Sequence, residues 1–229
     1  FLSREPQIQI HQSKQPFYQA FTIPLQEFFQ RKGIYAGLGF IAFLFLYKFG
    51  DALAIHAAPL DSGRLVQDAR AQIGVTTGYD GSYRNLAYPL GDVPIETGVC
   101  TDVIIRALRQ QGIDLQQRVH EDMARHFSVY PRLWGQKTTD RNIDHRRVPN
   151  LETYLRRHGE SLPLEDRDSY QAGDIVTWRL PGNRPHIGIV SDRRAEDGTP
   201  LIIHNIGRGT QEENILFAYP ITTHTRHQP

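Results

Sequence analysis

A single cysteine, Cys100, stands in a chain of 229 residues. That excludes an internal disulfide framework and any metal site built from several thiolates. An excess of one charge is lacking too. The chain has 26 Lys and Arg against 25 Asp and Glu, a formal net charge of +1, so there is no electrostatic reason to expect nucleic acid or an acidic polymer as partner. There is no internal repeat, and the only methionine, Met123, falls on a packing helix. With 39% hydrophobic and 22% charged residues, what remains is ordinary globular composition, long enough for one domain and an appendage. No cofactor and no metal is called for.

One uncharged run is present. Residues 33–47 (GIYAGLGFIAFLFLY) follow Arg31 and Lys32 and precede Ala52, Ala54, Ala57 and Ala58, the order of a secretory signal. At about 1.5 Å per residue the run spans roughly 22 Å, short of the ~30 Å hydrocarbon core, and Lys48 and Asp51 interrupt any extension. Export to the periplasm is therefore expected, with residues 31–58 as a cleaved signal or, alternatively, an anchor in the inner membrane. Residues 1–30, with Pro6, Pro16, Pro24 and many glutamines, read as a disordered or non-native extension. One folded domain is expected over 59–229.

Within it, Asp61 or Ser62 can cap a helix that runs to Ile73, with Leu65, Val66, Ala69 and Ile73 on one face. The Gly-, Tyr- and Pro-rich stretch 74–98 reads as a long ordered loop. A second helix is expected from Thr97 or Gly98 to Gln111, a third after Asp114, and a fourth capped by Asn150 and ended by Gly159. The character then changes to short runs rich in Val, Ile and Leu: Asp174 to Leu180, His186 to Ser191, Leu201 to His204 and Ile215 to Ala218. Helices followed by consecutive strands point to an α+β fold with an antiparallel sheet.

A thiol attacks as thiolate, and a helix N-terminus and a nearby imidazole both lower its pKa. Cys100 falls in the first turn of the second helix, where free backbone N–H groups can also receive an oxyanion. The alternative, a small buried hydrophobe, loses ground because an unpaired thiol in an oxidising compartment is a liability unless used. Of ten histidines, His186 opens one apolar strand and His204 closes another. On neighbouring strands the two side chains can meet, with His186 as general base and His204 orienting it. Asn205 is the alternative orienting group, and a satisfied core histidine the alternative for each imidazole.

The strings Gly173-Asp174-Ile175-Val176-Thr177-Trp178, His186-Ile187-Gly188-Ile189-Val190 and Ile202-Ile203-His204 resemble the second half of the NlpC-type cell-wall peptidases. The resemblance, over roughly residues 62 to 220, implies a papain-like fold with Cys100, His186 and His204 as nucleophile, base and third polar residue. More closely, Gly98-Val99-Cys100-Thr101-Asp102-Val103 and Asn142-Ile143-Asp144-His145-Arg146-Arg147-Val148 are similar to exported bacterial proteins known as domain-of-unknown-function family 1287. The NlpC pattern around the nucleophile is Asp-Cys-Ser-Gly, whereas here Val99 precedes Cys100 and Thr101 follows it.

Around these residues several roles stay open. Asp102 either binds a substrate amine or favours the helix N-terminus. Tyr79 and Tyr83 each offer a hydroxyl to the oxyanion or pack as aromatics. Asp144, His145, Arg146 and Arg147 either line the cleft and clamp a substrate carboxylate or form an internal salt-bridged loop. The expected activity is that of a cysteine peptidase or amidase on an amide bond of the cell envelope, a peptidoglycan stem peptide first. The alternatives are an inactive peptide-binding module, an acyltransferase using the same cysteine, and a metal hydrolase on the two histidines.

Overall fold

Aspartate caps open two of the helices. The computed structural model describes residues 60–227, so the expectations for 1–30, 31–58 and the uncharged run 33–47 fall outside the described residues. Asp61 accepts from the backbone of Arg64 at 3.0 Å and starts α1, Ser62–Arg70, which buries Leu65, Val66 and Ala69. Asp114 does the same for α3, Leu115–Arg125, accepting from Gln116 at 3.1 Å. Between them lies α2, Cys100–Arg109. The fourth helix, α4, runs Val148–His158 and has Pro149 in its first turn. Its expected cap, Asn150, sits inside the helix instead, where its buried amide donates to the Asp144 carbonyl at 3.0 Å. Among the described residues no helix is long and apolar enough to cross a membrane.

Two short strands, β1 (Gly78–Tyr79) and β2 (Thr97–Gly98), pair in parallel across the long loop and place Tyr79 opposite Gly98. Arg106 of α2 holds the rest of that loop. Its guanidinium donates to Asp92 at 3.0 Å, to the Thr76 hydroxyl at 2.9 Å and to the Thr97 carbonyl at 3.0 Å.

The remaining strands are β3 (Gly159–Ser161), β4 (Ile175–Leu180), β5 (Arg184–Arg194), β6 (Pro200–Asn205), β7 (Thr210–Glu213) and β8 (Ile221–His227). They form one antiparallel sheet in the order β3-β8-β4-β5-β6-β7. Ile175, Ile187, Ile189 and Ile203 face the helices and join Val103, Ile104, Leu108, Leu115, Val119 and Met123 in the main core. Val176, Trp178, Val190 and Ile202 alternate to the other face with Tyr170 and Leu216. Burial on both faces explains why the central strands read as continuous apolar runs.

The expected strand Ile215 to Ala218 is a turn. Leu216 is buried against the outer face, and its carbonyl accepts from the indole of Trp178 at 2.9 Å rather than from a ladder partner. The last strand is β8, whose threonines pack against β4, with the Thr177 and Thr223 hydroxyls 2.6 Å apart.

Candidate active site

Cys100 is the first residue of α2 and is 4% exposed. Its sulfur lies against the backbone N–H of Ile187, the residue after His186, as well as the N–H groups of its own first turn. Those N–H groups pull the thiol pKa down, but burial outweighs them and Asp102 adds to it, so the thiol is pushed up to about 12. The lowering expected from the helix terminus is thus overcome by desolvation, and the buried sulfur is held as a neutral thiol.

β5 and β6 bring the two histidines together: Nε2 of His186 lies 3.0 Å from Nδ1 of His204. Both imidazoles are buried. Burial, helped by the charge of His204, takes His186 down to about 3, and burial likewise lowers His204, against the pull of a nearby carboxylate. His186 is therefore held as a neutral imidazole. The two strands approach closely because Gly188 lies between the histidines in the sheet. A Cβ there would stand 2.6 Å from Ile202 Cγ2 and 3.2 Å from His204 Cβ.

Asn205 does not share in this contact. Its amide donates to the carbonyls of Gly78 at 3.2 Å and Gly98 at 3.1 Å, so it holds the β1–β2 pair in front of α2. Desolvation and then the charge of Cys100 push the hydroxyl of the half-exposed Tyr79 up to about 12, leaving it an O–H donor. The Tyr83 hydroxyl is committed elsewhere, donating to Asp140 at 3.0 Å and accepting from Asn142 at 2.9 Å.

Asp102 accepts from the backbone of Val99 at 2.6 Å, closing the first turn of α2. It also pairs with Arg146 in two parallel bonds, Nε to Oδ1 at 3.1 Å and Nη2 to Oδ2 at 3.0 Å. The remaining reach of Arg146 goes to the carbonyls of Asp80 at 3.0 Å and Ser82 at 3.3 Å. Four of the five guanidinium N–H donors are thus committed inside the protein, which makes Arg146 a structural tie at the helix turn.

Asp144 and His145 beside it are also turned inward. Asp144 is buried and accepts from Gln136 at 2.6 Å and from the Asp140 backbone at 2.5 Å. His145 is buried and neutral, lowered to about 3 by burial and by Arg146. Arg147 lies 4.5 Å from the ring centre of Trp134 and donates to Gln136 at 2.8 Å. The structure thus joins His186 to His204, sets the backbone of Ile187 against Cys100, and ties Asp102 to the same helix turn through the Val99 backbone, with Tyr79 in electrostatic reach of the thiol. It places Tyr83, Asp144, His145, Arg147 and Asn205 in supporting contacts outside that group.

Sequence reasoning missed Glu213, whose Oε2 lies 3.0 Å from Nε2 of His204. The signal was faint, because β7 (TQEE) has no apolar residue to announce a strand. A groove of about 690 Å³ runs past Pro185, the residue before His186, with Trp134, Pro149 and Arg156 on its walls.

Fold and site together define an α+β protein with a cysteine at a helix N-terminus and a histidine pair on adjoining strands. A family model described as "Domain of unknown function (DUF1287)" matches residues 66–227, and the chain belongs to that family. It is 57% identical over 164 residues to the Escherichia coli (strain K12) protein entitled "Uncharacterized protein YijF", covering 71% of this chain and 80% of that one. It is 67% identical over 54 residues to a Haemophilus influenzae "Uncharacterized protein", 24% of this chain and 13% of that one. Among solved structures it is similar to NlpC1 of Trichomonas vaginalis, 17% identical with a TM-score of 0.41, and to NlpC2 of the same organism, 14% identical with a TM-score of 0.39. The matches cover 76% and 74% of this chain but only 46% and 48% of those chains.

Proposed function

We propose that the protein is a cysteine peptidase or amidase that is exported and hydrolyses an amide bond of the cell envelope, with a peptidoglycan stem peptide as substrate. The observation that carries this reading is the union of a thiol at a helix N-terminus with a strand whose first histidine is paired at 3.0 Å to a second. The envelope setting is supported by the basic-then-apolar order of residues 31–47 and by the NlpC-like strings around His186 and His204.

At rest both partners are neutral, so proton transfer accompanies attack. The Cys100 proton passes to His186 as the sulfur bonds to the scissile carbonyl carbon. The oxyanion then meets the backbone N–H groups of the first turn of α2 and the Tyr79 hydroxyl. Collapse sends the proton from His186 to the leaving amine and leaves a thioester on Cys100. Water, deprotonated by His186, then attacks the thioester; the acyl–sulfur bond breaks, the acid leaves, and the proton on His186 returns to the Cys100 sulfur.

Purified protein incubated with isolated stem peptides should release new amine groups, and Cys100→Ala should abolish the release. Binding without turnover in the parent would convert the reading to a peptide-binding module. Transfer to an added amine in preference to water would make the protein an acyltransferase. Absence of both binding and turnover across envelope peptides would overturn the proposal.

A further inference from the structure

Beyond the histidine pair the polar chain continues to the surface. Oε2 of Glu213 lies 3.0 Å from Nε2 of His204, and Oε1 of the same carboxylate accepts from Nη2 of Arg208 at 3.0 Å. The placement follows from the sheet. Glu213 pairs with Ile202 and His204 with Gln211, so Glu213 stands diagonal to His204 on one face of β6 and β7. His204 is fully buried, whereas the Glu213 side chain is 30% exposed and that of Arg208 74%.

A carboxylate only accepts hydrogen bonds, so the proton on a neutral His204 sits on Nε2. Its Nδ1 is then a bare lone pair, which accepts from Nε2–H of His186 across the 3.0 Å contact. His186 is left with one bare nitrogen, Nδ1. Nothing in that sequence of assignments is free once the carboxylate is in place.

We infer that Glu213 is a positioning residue for the chemistry at Cys100: through His204 it fixes the orientation and tautomer of His186 and balances the positive charge that His186 acquires. The inference rests on the cysteine-hydrolase reading for its catalytic consequence, though not for the proton arrangement. In the step concerned the S–H bond of Cys100 breaks and an N–H bond forms on Nδ1 of His186. The result is thiolate and imidazolium, with His204 hydrogen-bonded between the imidazolium and Glu213 and no electrons exchanged. Arg208 pairs with Glu213 from the solvent side and holds the carboxylate in place.

The test uses the full chain labelled with ¹⁵N-histidine, as parent, Glu213→Gln, Glu213→Ala and Glu213→Asp. Each form is checked for an unchanged melting transition. Nitrogen spectra at neutral pH should show Nε2 protonated on both His186 and His204 in the parent, with a downfield, slowly exchanging proton on His204 that is lost in Glu213→Ala. Acylation of Cys100 by p-nitrophenyl acetate, read as p-nitrophenolate release, should slow by at least about tenfold in Glu213→Ala and recover in part in Glu213→Asp. Glu213→Gln keeps the shape and loses the charge, so it too should slow acylation. A bare Nε2 on His204 in the parent would overturn the inference. So would Glu213→Gln and Glu213→Ala acylating at the parental rate. If the parent itself fails to acylate while the spectra match expectation, the hydrolase reading falls and the proton arrangement stands.

Discussion

Arg146 meets Asp102 side-on, two parallel N–H···O bonds of 3.1 and 3.0 Å between side chains that are 2% and 3% exposed. The pair ties the loop carrying Tyr79 to the first turn of the helix carrying Cys100, because the same guanidinium also holds the Asp80 and Ser82 carbonyls.

Removing one partner of a buried pair leaves an uncompensated charge, which costs about 3–5 kcal/mol. Arg146→Met is expected to lower the urea-unfolding free energy by that order and to speed proteolytic cleavage around Ser82. A loss under about 1 kcal/mol would show that the pair does not hold this corner together.

Acid should destabilise the protein well above the range where carboxylates titrate. His145 and His186 are held down to about 3 by burial, and His204 and His227 are also lowered. In the unfolded chain these groups take up protons near pH 6.5, so between that pH and about 3 the unfolded state binds more protons than the folded one. Their contribution is complete above pH 6.5 and is lost as the pH falls toward 3. For His145 and His186 it amounts to about 2–3 kcal/mol each by pH 4.5. Denaturant melts at pH 7 and pH 4.5 check this. Equal stability at the two pH values would contradict the buried, neutral assignment.

Two tyrosines in one loop should behave differently. Tyr79 lies within electrostatic reach of the thiol, whereas the Tyr83 hydroxyl is spent on Asp140 and Asn142. Tyr79→Phe is expected to lower kcat by about a hundredfold, the effect of losing one oxyanion donor, with KM little changed. Tyr83→Phe should leave kcat within about twofold of the parent, because its contacts only brace the loop. Matching losses in the two variants would remove Tyr79 from the oxyanion site.

Much of this arrangement is legible in the chain. Aspartates 61 and 114 announce helices because a cap is a local hydrogen bond between near neighbours. The apolar runs around His186 and His204 announce central strands because both faces of the sheet are covered. What escapes notice depends on pairings between distant residues. Strand β8 (ITTHTRH) and strand β7 (TQEE) carry too few apolar residues to be read as strands, and only their partners β4 and β6 make them so. Glu213 is hidden for that reason. Asn150 misleads in the opposite sense, since a residue suited to capping is used inside a helix to satisfy the Asp144 carbonyl.

The depth of Cys100 bears on how long the protein lasts. Oxidants and disulfides react with the thiolate and need access to the sulfur. A thiol 4% exposed and pushed up to about 12 offers neither at neutral pH. On the proposed reading, the burial that keeps the thiol neutral until a substrate arrives would also slow overoxidation and mixed-disulfide formation. A solitary cysteine with no partner to repair it can then persist unspent between encounters.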